Sequence, residues 1–280
     1  MIPAAFDYRR PASVDDALAA LSDGKAKVLA GGMSLLPLMK LRLASPGTLV
    51  DIGRLAELRG SGTTSDGGFW VGALATYADI LETTQLDFAR DCILGIGDVQ
   101  VRNRGTVGGA VSHADPASDL PALGLALDYS VVLRSARGER TVPLDGFFVG
   151  AFQTGIAPDE LLVRMVRAPL PAGATGAYRK MEHPASGYSI VGVCAVVVAA
   201  GGSISHARVA LTGVGEVAYR AKAVEAALLA GDGSAASVAK AAEHATDGQT
   251  VNGDIHADRD YRARMAVVYT RRAIDAALGR

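Results

Sequence analysis

Two glycine-centred segments carry residues able to do chemistry. Ala30-Gly31-Gly32-Met33-Ser34-Leu35-Leu36-Pro37 follows a short apolar stretch, Val28-Leu29, and Arg104-Gly105-Thr106-Val107-Gly108-Gly109-Ala110 lies some seventy residues later. Glycine lacks a Cβ, so backbone amides at such a junction can approach an anion closely and turn at angles other residues resist. A phosphate cradle is the chemistry this pattern suggests. Either segment alone also fits a plain tight connection, but two far apart in sequence point to two walls of one site.

A third polar run, Ser112-His113-Ala114-Asp115-Pro116-Ala117-Ser118-Asp119, gathers hydroxyl, imidazole and carboxylate. Hydrolytic catalysis would need a nucleophile on a strained turn or an arranged triad, and no G-x-S-x-G elbow is present. His113 and Asp115 lack the further ligands of a metal site. Ser and Asp around a proline act as capping residues or border a bound polyol. Gly213-Val214-Gly215-Glu216-Val217-Ala218 has the G-x-G-x-x-A form of a dinucleotide fold, yet Gly231-Asp232-Gly233-Ser234 and an alanine-rich run follow where a second strand ending in an acid belongs. It reads as a structural turn.

The chain has 280 residues, long enough for two ordinary domains, and 28 Lys+Arg against 29 Asp+Glu leave a formal net charge of −1. Without a basic stripe, nucleic acid is not an expected partner. Cys92 and Cys194 are the two cysteines, too few for a disulfide framework or an iron–sulfur cluster. The first residues lack a basic stretch followed by an apolar one, and the longest apolar run, residues 190–200, is too short for a bilayer span. Cytoplasmic localisation without a transmembrane segment is expected.

The elements that must position these residues follow from periodicity and caps. Ser13 precedes a helix over residues 14–21, closed by Gly24; strands follow at 27–30 and 48–52, with a short helix at 38–43 between them. A small parallel strand–helix–strand unit therefore carries the first glycine segment at the end of its first strand. A strand at 68–73, helices at 76–81, 90–96 and 120–127, a hairpin at 130–134 and 138–143, and a strand at 160–166 come next. The turn cluster of Pro169, Pro171, Gly173 and Gly176 marks a domain boundary. Beyond it, strands at 190–200 and 204–211 precede helices at 220–229, 235–244 and 260–278, an α+β arrangement.

With both glycine segments, Asp115-Pro116, Ser118-Asp119-Leu120-Pro121, Tyr178-Arg179-Lys180 and Glu182-His183-Pro184-Ala185-Ser186-Gly187-Tyr188 in view, the chain resembles a known family. It looks like the FAD-binding medium subunit of the molybdenum hydroxylases, the group of xanthine dehydrogenase and aerobic carbon monoxide dehydrogenase. The resemblance covers nearly the whole chain. It implies an α+β protein: a two-part FAD-binding domain of the vanillyl-alcohol-oxidase type over residues 1–172, with a small part at 1–55 and a larger one at 56–172, then a C-terminal domain at 173–280. That last domain is expected to resemble the carbon monoxide dehydrogenase flavoprotein C-terminal domain, with a small antiparallel sheet and helices.

The resemblance further implies that Val28, Leu29, Ala30, Gly31, Gly32, Met33, Ser34 and Leu35, with Thr106, Val107, Gly108, Gly109 and Ala110, hold the pyrophosphate and adjoining sugar of non-covalent FAD through backbone amides. Asp119 would contact its hydroxylated portion, Lys180 the flavin itself, and Ile96, Leu162 and Tyr188 would line the cofactor. Met33 and Ala110 depart from the more polar residues common in the family, so the grip is expected to rest on backbone donors. Each carry-over has a plainer counterpart: Lys180 as a strand-edge lysine, Asp119 as a helix cap, Leu162 as core.

The implied function is electron transfer inside a complex, with no catalytic or metal-ligating side chain in this chain. A large subunit would carry the molybdenum cofactor and a small one two [2Fe-2S] clusters, as a dimer of heterotrimers by family habit, and FAD would pass electrons to NAD, a quinone or oxygen. The alternatives are a free-standing FAD oxidoreductase, for which the C-terminal portion looks short, and a binding or scaffold module whose glycines are purely structural. In the cradle reading, valine at Gly32 or Gly108 is expected to abolish flavin retention.

Overall fold

The structure, a computed structural model, describes residues 2–22 and 24–280; Met1 and Asp23 lie outside the described residues. The chain begins with β1 (Asp7–Arg9), α1 (Val14–Leu21), β2 (Ala26–Leu29), α2 (Leu35–Lys40) and β3 (Thr48–Asp51). Ser13 caps α1 through its hydroxyl, which accepts from the Asp16 amide, and Val14, Ala17, Leu18 and Leu21 bury one face. The three strands form a parallel sheet in the order β1-β3-β2. Strand β1 carried no sequence signal, because its three residues are all exposed and show no alternation. Helix α2 starts three residues before its expected position. Pro37 sits in its first turn, where a missing N–H costs nothing, and Arg42 at φ 59° ends it.

The larger part contains β4 (Ser61–Thr63), β5 (Phe69–Gly72), α3 (Tyr77–Thr83), α4 (Asp87–Leu94), α5 (Val99–Arg102), α6 (Val107–His113), α7 (Asp119–Ala126), β6 (Ser130–Ser135), β7 (Gly138–Pro143), β8 (Phe148–Gly150), β9 (Gln153–Thr154) and β10 (Leu161–Arg167). Five strands form an antiparallel sheet, β4-β5-β10-β6-β7, and β8 and β9 make a short hairpin. Thr76 and Asp79 build a capping box at α3, each side chain accepting from the other's amide. Helix α4 begins at Asp87, before the expected residue 90, because Phe88 and Ala89 complete the buried face with Cys92 and Ile93.

The second glycine segment is not a loop. Gly108 and Gly109 lie in the first turn of α6, where the Thr106 hydroxyl accepts from the Gly109 amide at 3.2 Å. Their low helix propensity is overridden by packing, since a Cβ on Gly108 would lie 2.6 Å from the Ala73 Cβ.

The C-terminal part is a four-stranded antiparallel sheet, β11 (Thr175–Glu182), β12 (Ser189–Ala200), β13 (Ser203–Thr212) and β14 (Tyr219–Arg220), followed by α8 (Lys222–Ala230), α9 (Ala235–Ala242) and α10 (Arg259–Ala277). Strand β12 is apolar along its length because both of its faces are covered. Cys194 and Val196 point into the core shared with α4 and α7, whereas Val193, Ala195 and Val197 point into the core under the C-terminal helices. Helix α7 is buried all round between the two large sheets. The glycine pattern at 213–218 is a turn: Gly213 has φ 79°, its amide donates to the Pro116 carbonyl at 2.7 Å, and the strand beyond runs antiparallel. Among the described residues no helix is long and apolar enough to cross a membrane.

Candidate functional site

The two glycine segments meet backbone to backbone. A Cβ placed on Gly31 would lie 1.9 Å from the Arg104 carbonyl oxygen and 3.2 Å from the Gly105 Cα, and one on Gly109 would lie 3.9 Å from the Ala30 Cβ. Glycine is required at residue 31 by this close approach, and at residue 32 by a φ of 77°. Gly105 in turn makes room for the Tyr77 ring, 2.7 Å from its missing Cβ, and its carbonyl accepts from the Tyr77 amide at 3.1 Å.

Hydrogen bonding divides the labour between the segments. Among the described residues the amides of Gly31, Gly32, Met33, Ser34 and Leu35 find no acceptor, although Gly31 and Gly32 are buried. Five successive orphan donors, two of them on buried residues, favour an anionic ligand. In the second segment the amides are committed: Val107 donates to the Ala75 carbonyl and Gly108 to the Ala73 carbonyl, both at 2.9 Å, and Ala110 donates to the Thr106 carbonyl at 3.0 Å. This segment therefore offers close approach and the Thr106 hydroxyl proton, not a row of free amides. Val28, Leu29 and Ala30 are half-buried behind the first segment, and Met33 is exposed at its tip.

A buried polar hub lies beyond Tyr77. Asp119, the first residue of α7, accepts from the Tyr178 hydroxyl at 2.5 Å, the Ser189 hydroxyl at 2.6 Å and the Lys180 ammonium at 2.9 Å. Lys180 also donates to the Gly95 carbonyl at 2.9 Å, beside Ile96. The side chains of Lys180 and Asp119 are 9% and 6% exposed, so neither plainer reading holds. Lys180 is no solvated strand-edge lysine, and the α7 cap position belongs to Ser118 while the Asp119 carboxylate turns to β11 and β12. Burial pushes the Tyr77 phenol up, and the Asp119 charge and Tyr188 add to it. Tyr188 is 49% exposed at its edge.

Leu162 is buried opposite Leu133 and belongs to the core, as do the side chains of Val107 and Ala110. Of the earlier hydrolase-like cluster, Asp115 accepts from the Ala117 amide at 2.9 Å, a turn contact. Tyr77, Tyr178, Ser189 and the Arg104 carbonyl were not anticipated as site groups. Only the capping box marked Tyr77, and that signal speaks of a helix start.

Cys92 and Cys194 are fully buried next to this hub, and burial pushes both thiols up. The native chain is expected to leave both unmodified by a thiol reagent at mildly alkaline pH and to expose two after denaturation. A raised thiol pKa keeps the neutral form in the folded state. Its stabilising effect is complete below the unfolded pKa of about 8.5 and is lost as pH rises above it. Fast native labelling would contradict this burial.

Comparison with known proteins decides what such a crevice belongs to. The family described as "FAD binding domain in molybdopterin dehydrogenase" matches residues 4–171, and "CO dehydrogenase flavoprotein C-terminal domain" matches residues 176–277. The chain belongs to the FAD-binding medium subunits of the molybdenum hydroxylases. Among its relatives is the carbon monoxide dehydrogenase medium chain of Hydrogenophaga pseudoflava, 38% identical with 100% of this chain and 99% of that one covered. The 6-hydroxypseudooxynicotine dehydrogenase complex subunit alpha of Paenarthrobacter nicotinovorans is 36% identical, with 100% and 97% covered. Among solved structures, a carbon monoxide dehydrogenase from Hydrogenophaga pseudoflava superposes with a TM-score of 0.96 at 39% identity, over 100% of this chain and 99% of that one. Quinoline 2-oxidoreductase from Pseudomonas putida 86 follows at 0.92 and 32%, over 100% and 99%. The medium chain is thus an oxidoreductase subunit with a FAD-binding domain and the two-domain fold of its relatives. The orphan amides of residues 31–35 fit that cofactor, since they supply donors of the kind a pyrophosphate takes up.

Proposed function

We propose that this chain holds FAD non-covalently between its glycine segments and the Asp119–Lys180 hub, and acts as the electron-transfer subunit of a molybdenum hydroxylase complex. The observation that carries the reading is the backbone contact of Gly31 with Arg104 beside five consecutive amides that find no acceptor among the described residues. Residues 31–35 would donate to the pyrophosphate and Thr106 would add a hydroxyl. Val28, Leu29, Ala30, Ile96 and Tyr188 would contribute apolar or aromatic contacts, with Val107, Gly108, Gly109, Ala110 and Leu162 packing behind. FAD, when bound, supplies the capacity to exchange electrons both singly and in pairs.

Lys180 holds a positive charge at the hub, and Asp119 fixes its direction while Tyr178 and Ser189 occupy the other carboxylate oxygen. A cation so anchored favours negative charge on a flavin beside it. The same reading divides the chain at residues 172–173, after β10 and before β11. It also places a molybdenum-bearing large subunit and a [2Fe-2S] small subunit beside this one, in a dimer of heterotrimers in the cytoplasm, with NAD, a quinone or oxygen as acceptor. Support comes from relatives that are themselves named as medium chains or subunits of dehydrogenases, which also weighs against a free-standing flavin oxidase.

The visible spectrum of the purified chain or complex tests the reading, with the chromophore identified after denaturation. About one FAD per chain is expected. A folded chain in its native complex that carries no flavin and takes up none would overturn it.

A further inference from the structure

The larger part contains a second cavity, which the second glycine segment reaches by the core-facing Val107 side chain. It lies between the five-stranded sheet and helices α3, α4, α6 and α7, with a volume of about 200 Å³. Its walls are apolar: Val71 and Met165 from the sheet, Ile80 from α3, Ile93 from α4, Val107 and Val111 from α6, and Leu123 from α7. A dry cavity of about 150 Å³ lined by such residues suffices to hold a benzene-sized guest. This one is somewhat larger, and its mouth is polar.

At the mouth stands Arg167, the last residue of β10, whose guanidinium lies 5.7 Å from the Phe69 ring centroid and 6.0 Å from that of Tyr129, both rings lining the cavity. Its Nη1 donates to the Ala168 carbonyl at 3.0 Å, but its Nε is buried without a hydrogen-bond partner. Among the described residues no carboxylate lies within ion-pair distance of it. A buried guanidinium nitrogen with no acceptor is unfavourable unless an acceptor arrives. Thr63, Thr84 and Gln85 add further polar groups to the lining.

We propose that this cavity is a binding site for a small amphipathic carboxylate, an alkyl chain of about eight carbons or a single substituted ring, whose apolar body fills the cavity and whose carboxylate pairs with Arg167. The guanidinium fork matches a carboxylate in shape and charge, and the apolar depth selects against small polar anions. The site is separate from the FAD crevice: its mouth is where β5 begins and β10 ends, whereas the glycine segments meet past the other end of β5, at Ala73.

The test is calorimetric titration of the flavin-loaded chain with octanoate and with 4-ethylbenzoate, and with octanol and acetate as controls. Methyl-group NMR of Val107, Val111, Ile93 and Leu123 reports the location. Saturable binding of either carboxylate is expected, with shifts confined to these methyls, and the two acids distinguish a chain from a ring as the preferred body. Arg167→Gln should weaken carboxylate binding by at least tenfold and leave octanol unchanged. Ala89→Leu, which fills the cavity from α4, should abolish binding of all apolar probes. If neither acid binds the folded chain, or if Arg167→Gln binds octanoate as well as the parent does, the proposal is wrong.

Discussion

Asp119→Ala is expected to lower the thermal unfolding midpoint of the flavin-free chain by on the order of 10 °C. Removing one partner of a buried ion pair costs about 3–5 kcal/mol, because the other charge stays buried and unpaired. A chain of this size loses about 2–4 °C per kcal/mol. Among the described residues the substitution leaves the Lys180 ammonium with only the Gly95 carbonyl, and it removes the acceptor of the Tyr178 and Ser189 hydroxyls as well. Those groups belong to β11 and β12, so the damage falls on the junction between the FAD-binding part and the C-terminal sheet. The flavin-free chain is the proper material, since a bound ligand would add its own stabilisation and mask the comparison. Asp119→Leu combined with Lys180→Met should recover part of the loss, for a buried pair replaced by apolar groups is often near neutral. That double variant then separates the two roles of the hub. If it folds and still fails to retain FAD, the pair serves the cofactor as well as the fold. A midpoint for Asp119→Ala within about 2 °C of the parent, less than 1 kcal/mol by the same scaling, would show that the hub is not a structural junction.

The second large effect is expected at Gly31. Valine there places a Cβ 1.9 Å from the Arg104 carbonyl oxygen and 2.8 Å from its carbonyl carbon. Both obstacles are backbone, so no side-chain rotation relieves them and the two segments must part. FAD retention is expected to fall below a tenth of the parent's, read as flavin per chain, while the C-terminal sheet keeps its circular dichroism and the cysteines stay protected. The other glycines differ in instructive ways. At Gly32 the nearest atoms belong to the flexible Leu36 side chain, but φ of 77° still penalises a β-branched residue. At Gly108 a Cβ would strike Ala73 inside the core. Valine there is therefore expected to disrupt folding of the FAD-binding part as well as flavin retention, which makes it a poorer probe than the sequence suggested. Full flavin in a folded Gly31→Val chain would refute the cradle.

Local signals proved readable. Ser13, Thr76 and the apolar run of residues 131–133 each mark an element within a few residues of themselves, because caps and short apolar runs act at short range. The misplacements have equally local causes. Helix α2 could start early because its proline fell in the first turn, and β1 is too short and exposed to show a period. Glycines 108 and 109 looked like a loop since their helical state depends on packing against Ala73, which no local pattern announces.

The sequence alone was enough to establish the family, the α+β class, the two glycine segments and the absence of cysteines for a cluster, since each rests on residue types and their spacing. It also supplied Asp119 and Lys180 as candidates, through the resemblance. Which amides stay free, and what Asp119 holds, depended on tertiary contacts. Its three partners lie 59, 61 and 70 residues away along the chain, and Gly31 meets a carbonyl more than seventy residues distant. Contacts at that range arise from how sheets and helices pack, so the chain writes their participants but not their pairing.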